Sequence, residues 1–213
     1  MGASMIGLVD YGMGNLTSVR NALTYLGASV CEVHEARECT NVDALVLPGV
    51  GAFSQGMENL RKRGFIDGLG EMVLGRNMPF LGICLGMQLL ATRGFEYGAH
   101  EGLGWCPGEV VRMADGGASE GIRIPHVGWN DVRFLSQEGL FRGLEKSAAF
   151  YFVHSYVVRV EDPSWVAGVF QYGGEYVCAL EHNSIWATQF HPEKSHKTGL
   201  MVLKNWLRRW ELC

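Results

Sequence analysis

Apolar positions along this chain follow two rhythms, and the balance between them shifts near the middle. Residues 5–9 (Met-Ile-Gly-Leu-Val) form a short apolar run, which predicts a buried strand. The spacing then lengthens. Leu16, Val19, Leu23 and Leu26 recur three and four residues apart, the period of one helix face. Asn15 stands where its side chain can cap a first turn and Gly27 where a helix can end, so a helix is predicted over 15–27. Further apolar runs predict strands over 30–33, 44–47 and 79–83, the second stopped by Pro48-Gly49. A helical stretch covers 53–74, interrupted near Gly64, and another covers 85–93. Strands alternating with helices imply βαβ units on a parallel sheet.

After about residue 105 strand-like segments follow one another: 109–113, 149–153, 156–160, 165–170, 176–180 and 185–190. Only 195–210 is helical again, with Leu203, Trp206, Leu207 and Trp210 as a stripe that packs on the sheet. The expected architecture is α/β: a mainly parallel central sheet, helices on both faces, and an antiparallel extension in the second half. The length of 213 residues fits one domain, 1–213.

Composition narrows the function classes. Hydrophobic residues make up 47% and charged residues 19%, enough for a sizeable core. Eighteen basic against 22 acidic residues give a net charge of −4, which disfavours general nucleic-acid binding. Residues 1–10 lack the basic and apolar regions of a secretory signal. The most apolar stretch, 72–91, is broken by Arg76, Asn77, Pro79 and Gln88, so no membrane span is expected. A soluble, cytoplasmic protein follows, with its six cysteines reduced. They form no C-x-x-C pair, which argues against zinc, and no metal or cofactor is expected. The 29 glycines are about twice the usual share and point to tight turns or close backbone approaches.

One cysteine stands apart. Gly82-Ile83-Cys84-Leu85-Gly86 lies where a buried strand turns into a helix, and it has the form of a nucleophile elbow with cysteine in place of serine. Such a turn pushes the side chain out of the sheet, while glycines two residues either side let strand and helix cross. A helix N-terminus there favours thiolate, and the Leu85 N–H is left to hold an oxyanion. The competing reading is a buried, inert thiol on a glycine-flanked turn, which the other five cysteines retain. A thiol nucleophile needs a base and an orienting group. In Gln189-Phe190-His191-Pro192-Glu193, His191 ends a strand and Glu193 shares its face, so the carboxylate can fix the imidazole tautomer. A strand-end histidine beside a solvated glutamate is the bland alternative. His126 and His154 have no carboxylate nearby in sequence. His34, His100, His182 and His196 read as surface residues.

With Met87-Gln88 after the elbow, these segments resemble the class I, triad-type glutamine amidotransferases. Four more segments narrow the resemblance: Asp10-Tyr11-Gly12-Met13-Gly14-Asn15, Leu47-Pro48-Gly49-Val50-Gly51, Pro125-His126-Val127-Gly128-Trp129-Asn130 and Tyr151-Phe152-Val153-His154-Ser155-Tyr156. Together they look like the glutaminase subunits of imidazole glycerol phosphate synthases, of histidine biosynthesis. The resemblance begins near Met5, so residues 1–4 read as an extension.

The resemblance implies a flavodoxin-like fold and the following roles. Cys84 attacks the side-chain amide of L-glutamine, His191 handles the protons and Glu193 orients it. The oxyanion is held by Leu85 and by backbone of Gly49, Val50 and Gly51. Gln88 and Glu96 contact the substrate, Glu96 through its ammonium group. Backbone of His154, Ser155 and Tyr156 receives the α-carboxylate. Asn15, Trp129, Tyr151 and Lys194 face a partner, a (β/α)8-barrel cyclase subunit that consumes the ammonia. Each of these residues alone also has a packing or surface reading. Met13 departs from the proline that the family often carries in Tyr-Gly-Pro-Gly-Asn, so the geometry of that loop is open. Two rivals remain: a paralogue feeding another synthase, such as one for nucleotide-sugar amidation, and a flavodoxin-like binding module without catalysis.

Overall fold

The first strand, β1 (Met5–Val9), buries its side chains from Ile6 onward and pairs in parallel with two later strands. Helix α1 (Leu16–Tyr25) follows, and the Asn15 side chain accepts from the Ser18 N–H at 3.2 Å, as the cap position predicts. Next come β2 (Ser29–Val33), β3 (Ala44–Gly49), α2 (Phe53–Lys62) and α3 (Phe65–Gly70). The break between the two helices falls at Gly64, and α3 runs on into a π-helical turn, Glu71–Gly75. Then follow β4 (Phe80–Cys84), α4 (Leu85–Gln88), β5 (Ala91–Gly94), β6 (His100–Glu101) and β7 (Cys106–Arg112). The second half holds β8 (His126–Phe134), β9 (Ser147–His154), β10 (Tyr156–Val160), β11 (Val166–Gln171), β12 (Glu175–His182), β13 (Ile185–Thr188) and α5 (His196–Arg209). This computed structural model describes residues 4–113 and 122–213. The proposed N-terminal extension therefore lies, apart from Ser4, outside the described residues.

Nine strands form one sheet in the order β2-β1-β3-β4-β13-β12-β11-β8-β9. The pairings from β2 to β13 are parallel and those from β13 to β9 antiparallel, so the sheet is mixed, half of each kind. Side chains alternate between its faces. One face packs Leu8, Val46, Leu81 and Ile83 against Val19 and Leu23 of α1 and Val202, Leu203 and Trp206 of α5. The other packs Leu45, Leu47 and Phe80 against Phe53, Met57 and Leu60 of α2 and Phe65 of α3. A second sheet, β10-β7-β5-β6, meets the first through β10, which packs against β12.

Two expectations are corrected, and one long strand is new. The strand over 44–47 does not stop at Pro48-Gly49: β3 runs through both, pairing Gly49 with Cys84. Proline is tolerated because consecutive N–H groups point to opposite sides. Leu45 donates toward β4, so position 48 points toward β1, whose ladder with β3 has ended at Val46. The helix over 85–93 is a single turn, followed by β5. The Leu89 and Leu90 carbonyls that a helix would have used accept instead from Leu103, Trp105 and Cys106, and Arg93 pairs with Glu109 of β7. With Gln88 alone interrupting the apolar residues from 85 to 91, the local pattern carries no period that decides between the two outcomes. Finally, β8 was not anticipated. Val127 and Trp129 leave large apolar groups on its outward side, which hides the alternation.

Candidate active site

Strands β4 and β13 are parallel neighbours, with Thr188 opposite Ile83. Their carboxyl ends therefore deliver Cys84 and the segment Gln189–His191 to the same point, above the end of a parallel sheet where such folds bind ligands. Cys84 ends β4 with φ 55° and ψ −107°, a backbone conformation that L-residues avoid. Strand and helix cross closely just beyond it. A Cβ at Gly86 would overlap the Leu47 carbonyl, and one at Gly82 would press on the Gly86 backbone at 2.8 Å. The elbow is thus present as predicted. Its helix, however, has only four residues, so the dipole available to a thiolate is that of a single turn. The cation at hand is the histidine.

His191 is buried and its Nδ1–H donates to Glu193 Oε1 at 2.8 Å, with the carboxylate equally enclosed. Burial works against the protonated ring, but Cys84 and Glu193 together outweigh it and lift the group from 6.5 to about 9. The ring's orientation is held from behind. The buried Ser195 hydroxyl donates to the His191 carbonyl at 2.6 Å and accepts from the Tyr151 N–H at 3.0 Å. Gln189, also buried, directs Nε2 at Cys84 Sγ, 3.7 Å away.

A cleft of about 440 Å3 opens beside Cys84, lined by Val50, Gly51, Leu85, Gln88, Glu96, His154, Ser155 and Tyr156. All but one of the residues expected to hold the substrate or its oxyanion are therefore neighbours. The exception, Gly49, sits behind the wall, where its α-carbon leaves no room for a side chain against the Tyr11 hydroxyl. Gly51 has φ +105°, so the loop conformation itself requires glycine there. The Leu85 N–H opens α4 and has no acceptor within it. Gln88 spends both amide hydrogens inside the protein, on Tyr156 O at 3.0 Å and Gln189 Oε1 at 2.9 Å, which leaves its carbonyl oxygen for a ligand. Glu96 accepts the Phe53 N–H at 2.8 Å and so caps α2 with one carboxylate oxygen.

The four expected partner residues are placed as follows. Trp129 and Tyr151 are directly opposite on β8 and β9, with ring centroids 6.1 Å apart. Lys194 Nζ lies 5.9 Å from the Tyr151 ring, and His196 stacks on Trp129. Trp129 remains 48% exposed, so the group forms an aromatic, basic surface. Asn15 caps α1, whose Ser18 and Asn21 border a groove shared with Lys194.

Sequence reasoning missed Gln189, Ser195 and Tyr11. Gln189 was within reach of it, because alternation along the strand puts it on one face with His191. Tyr11 has a fully buried hydroxyl with no partner among the described residues. Of the other five cysteines, Cys39, Cys106 and Cys178 are buried as expected, whereas Cys31 is half-buried and Cys213 is exposed. Burial raises Cys39 to about 11 and Cys106 to about 12, and Cys178 is fully enclosed.

The fold is that of a class-I glutamine amidotransferase, and the chain belongs to that family, whose model matches residues 7–210. Among curated proteins it is similar to imidazole glycerol phosphate synthase subunit HisH 1 of Campylobacter jejuni (strain RM1221), at 45% identity over 96% of this chain and 100% of the relative. It is likewise similar to the HisH subunit of Moorella thermoacetica, at 44% identity over 94% and 92% of the two chains. Among solved structures, a glutamine amidotransferase superposes with a TM-score of 0.75 at 22% identity, covering 97% and 98% of the chains. PurLQS from Thermotoga maritima does so with a TM-score of 0.74 at 18% identity, covering 98% and 99%. These two establish the fold alone. Among the described residues, no helix is long and apolar enough to cross a membrane.

Proposed function

We propose that this chain, as one domain over its 213 residues, is the glutaminase subunit of an imidazole glycerol phosphate synthase, working in the cytoplasm. Cys84 attacks the side-chain carbonyl carbon of L-glutamine. The developing oxyanion is held by the Leu85 N–H and by backbone of the loop at Gly49, Val50 and Gly51. His191 gives its proton to the leaving nitrogen, ammonia departs, and a glutamyl thioester remains. The now neutral His191 takes a proton from water, which attacks the thioester and releases glutamate. Glu193 keeps Nδ1 protonated throughout, so that Nε2 faces the chemistry. Glu96 takes the substrate ammonium, Gln88 a polar contact, and backbone at His154, Ser155 and Tyr156 the α-carboxylate. Ammonia passes to a (β/α)8-barrel cyclase subunit docked on Trp129, Tyr151, Lys194 and Asn15, which forms imidazole glycerol phosphate and an aminoimidazole carboxamide ribotide.

The observation that carries this reading is the meeting of a strained elbow cysteine with the buried His191–Glu193 pair. It is tested by mixing the chain with a cyclase subunit and its nucleotide, glutamine being the sole nitrogen source. Imidazole glycerol phosphate is expected from the native chain, and none from Cys84→Ala. The Cys84→Ala complex still makes product when ammonia is supplied. Glutamine turnover by the Cys84→Ala chain at the native rate would remove the mechanism.

A further inference from the structure

Two histidines whose rings the chemistry does not use lie at or behind the wall of the cleft. His126 and His154 are opposite one another across the β8–β9 ladder and are both almost wholly buried. His126 Nδ1 is 3.1 Å from His154 Nε2, and His154 Nδ1 is 2.9 Å from the Tyr156 carbonyl. At the other end, Asn130 Nδ2 reaches His126 Nε2 at 3.4 Å and the Gln171 carbonyl at 3.0 Å.

The direction of every proton follows from the last acceptor. A carbonyl can only accept, so His154 carries its hydrogen on Nδ1. Its Nε2 is then bare and must accept from His126 Nδ1–H. His126 Nε2 is bare in turn and accepts from Asn130. A second proton on either ring would set two N–H groups against each other or against the Asn130 amide. Burial agrees with this, since it lowers His126 to about 4 and His154 to about 3. The His126 ring is stacked on Phe170, 8° from parallel at 5.2 Å, and lies tilted by 34° against Tyr172 at 4.2 Å.

The chain ends on a group that matters to the cleft. The Tyr156 carbonyl that takes the His154 hydrogen also takes the Gln88 amide hydrogen at 3.0 Å. The chain starts at Asn130, next to Trp129 on the outward-facing part of β8. We propose that His126 is a positioning residue for glutamine: a one-way hydrogen-bond relay, Asn130 to His126 to His154 to the Tyr156 carbonyl, fixes the wall of the cleft from the strand that carries Trp129. This rests on the proposed glutaminase reading only for its choice of substrate.

The test compares His126→Asn with His126→Leu, each assembled with the cyclase subunit. Asparagine puts an amide N–H where Nδ1–H stood; leucine is of similar bulk and has no donor. His126→Leu is expected to raise KM for glutamine about tenfold with kcat within about threefold, and His126→Asn to stay within about threefold in both. Equal shifts in the two variants, or none in His126→Leu, overturn the relay. An inactive wild-type complex would instead overturn the glutaminase reading. Nitrogen NMR of the unmodified chain then still judges the relay, as it does if a variant fails to fold. Both rings should show a protonated Nδ1 and a bare Nε2 from about pH 6 to 8. A protonated Nε2 on either ring overturns it.

Discussion

At the scale of single residues, the site depends on His191 being charged while enclosed. Its folded value of about 9 stands above the ordinary 6.5, so folding is favoured by the proton the ring binds. That contribution is complete below about pH 6.5 and is lost as pH rises through about 9. Urea midpoints should therefore fall across this window in the native chain. Cys84 is the larger of the two influences that raise His191. In Cys84→Ala the histidine should titrate well below 9 by NMR, and the fall in stability should be smaller and end at lower pH. An unmoved titration would show that Cys84 does not govern His191. The elbow and the His191–Glu193 pair were legible in the sequence because each lies within five consecutive residues. The His126–His154 pair was not. It exists only through the register of β8 on β9, and sequence distance from a carboxylate says nothing about a partner across a ladder.

At the scale of elements, the junction of β4 and α4 is the least forgiving part of the molecule. The Gly86 α-carbon lies against the Leu47 carbonyl of β3, and backbone in the middle of a sheet cannot step aside. Gly86→Ala should cost about 3 kcal/mol of stability. It should also lower glutamine turnover by tilting the elbow, which denaturant titration and the coupled assay would show together. A neutral result would mean that β3 can yield. Elements marked by a short apolar run between polar residues or by a clean helical period were readable: β1, α1 and α5 fall within two residues of their expected limits. The segment after Gln88 was misread because its fate is set by bonds from residues 103–106, which no local window contains. Pro48 misled for a related reason. Its effect on β3 depends on which neighbour its missing N–H would have met.

At the scale of the whole molecule, the alternation of strand and helix gave away the parallel half of the sheet but not its exact neighbours. The surface made by Trp129, Tyr151 and Lys194 joins residues from β8, β9 and the turn before α5. The proposed docking there predicts that Trp129→Ala weakens association with the cyclase subunit by about 2 kcal/mol, roughly thirtyfold. The melting temperature of the isolated chain should hardly move. Unchanged affinity would place the docking surface elsewhere. The position of β13 between β4 and β12 has a consequence for biosynthesis. The nucleophile is made early in translation and its histidine late, and the slot that brings them together closes only when β13 leaves the ribosome. Pairings between distant parts of a chain are slow to form. A nascent chain thus carries an unpaired strand edge and an idle thiol until its last strand is in place, and it consumes no glutamine before then.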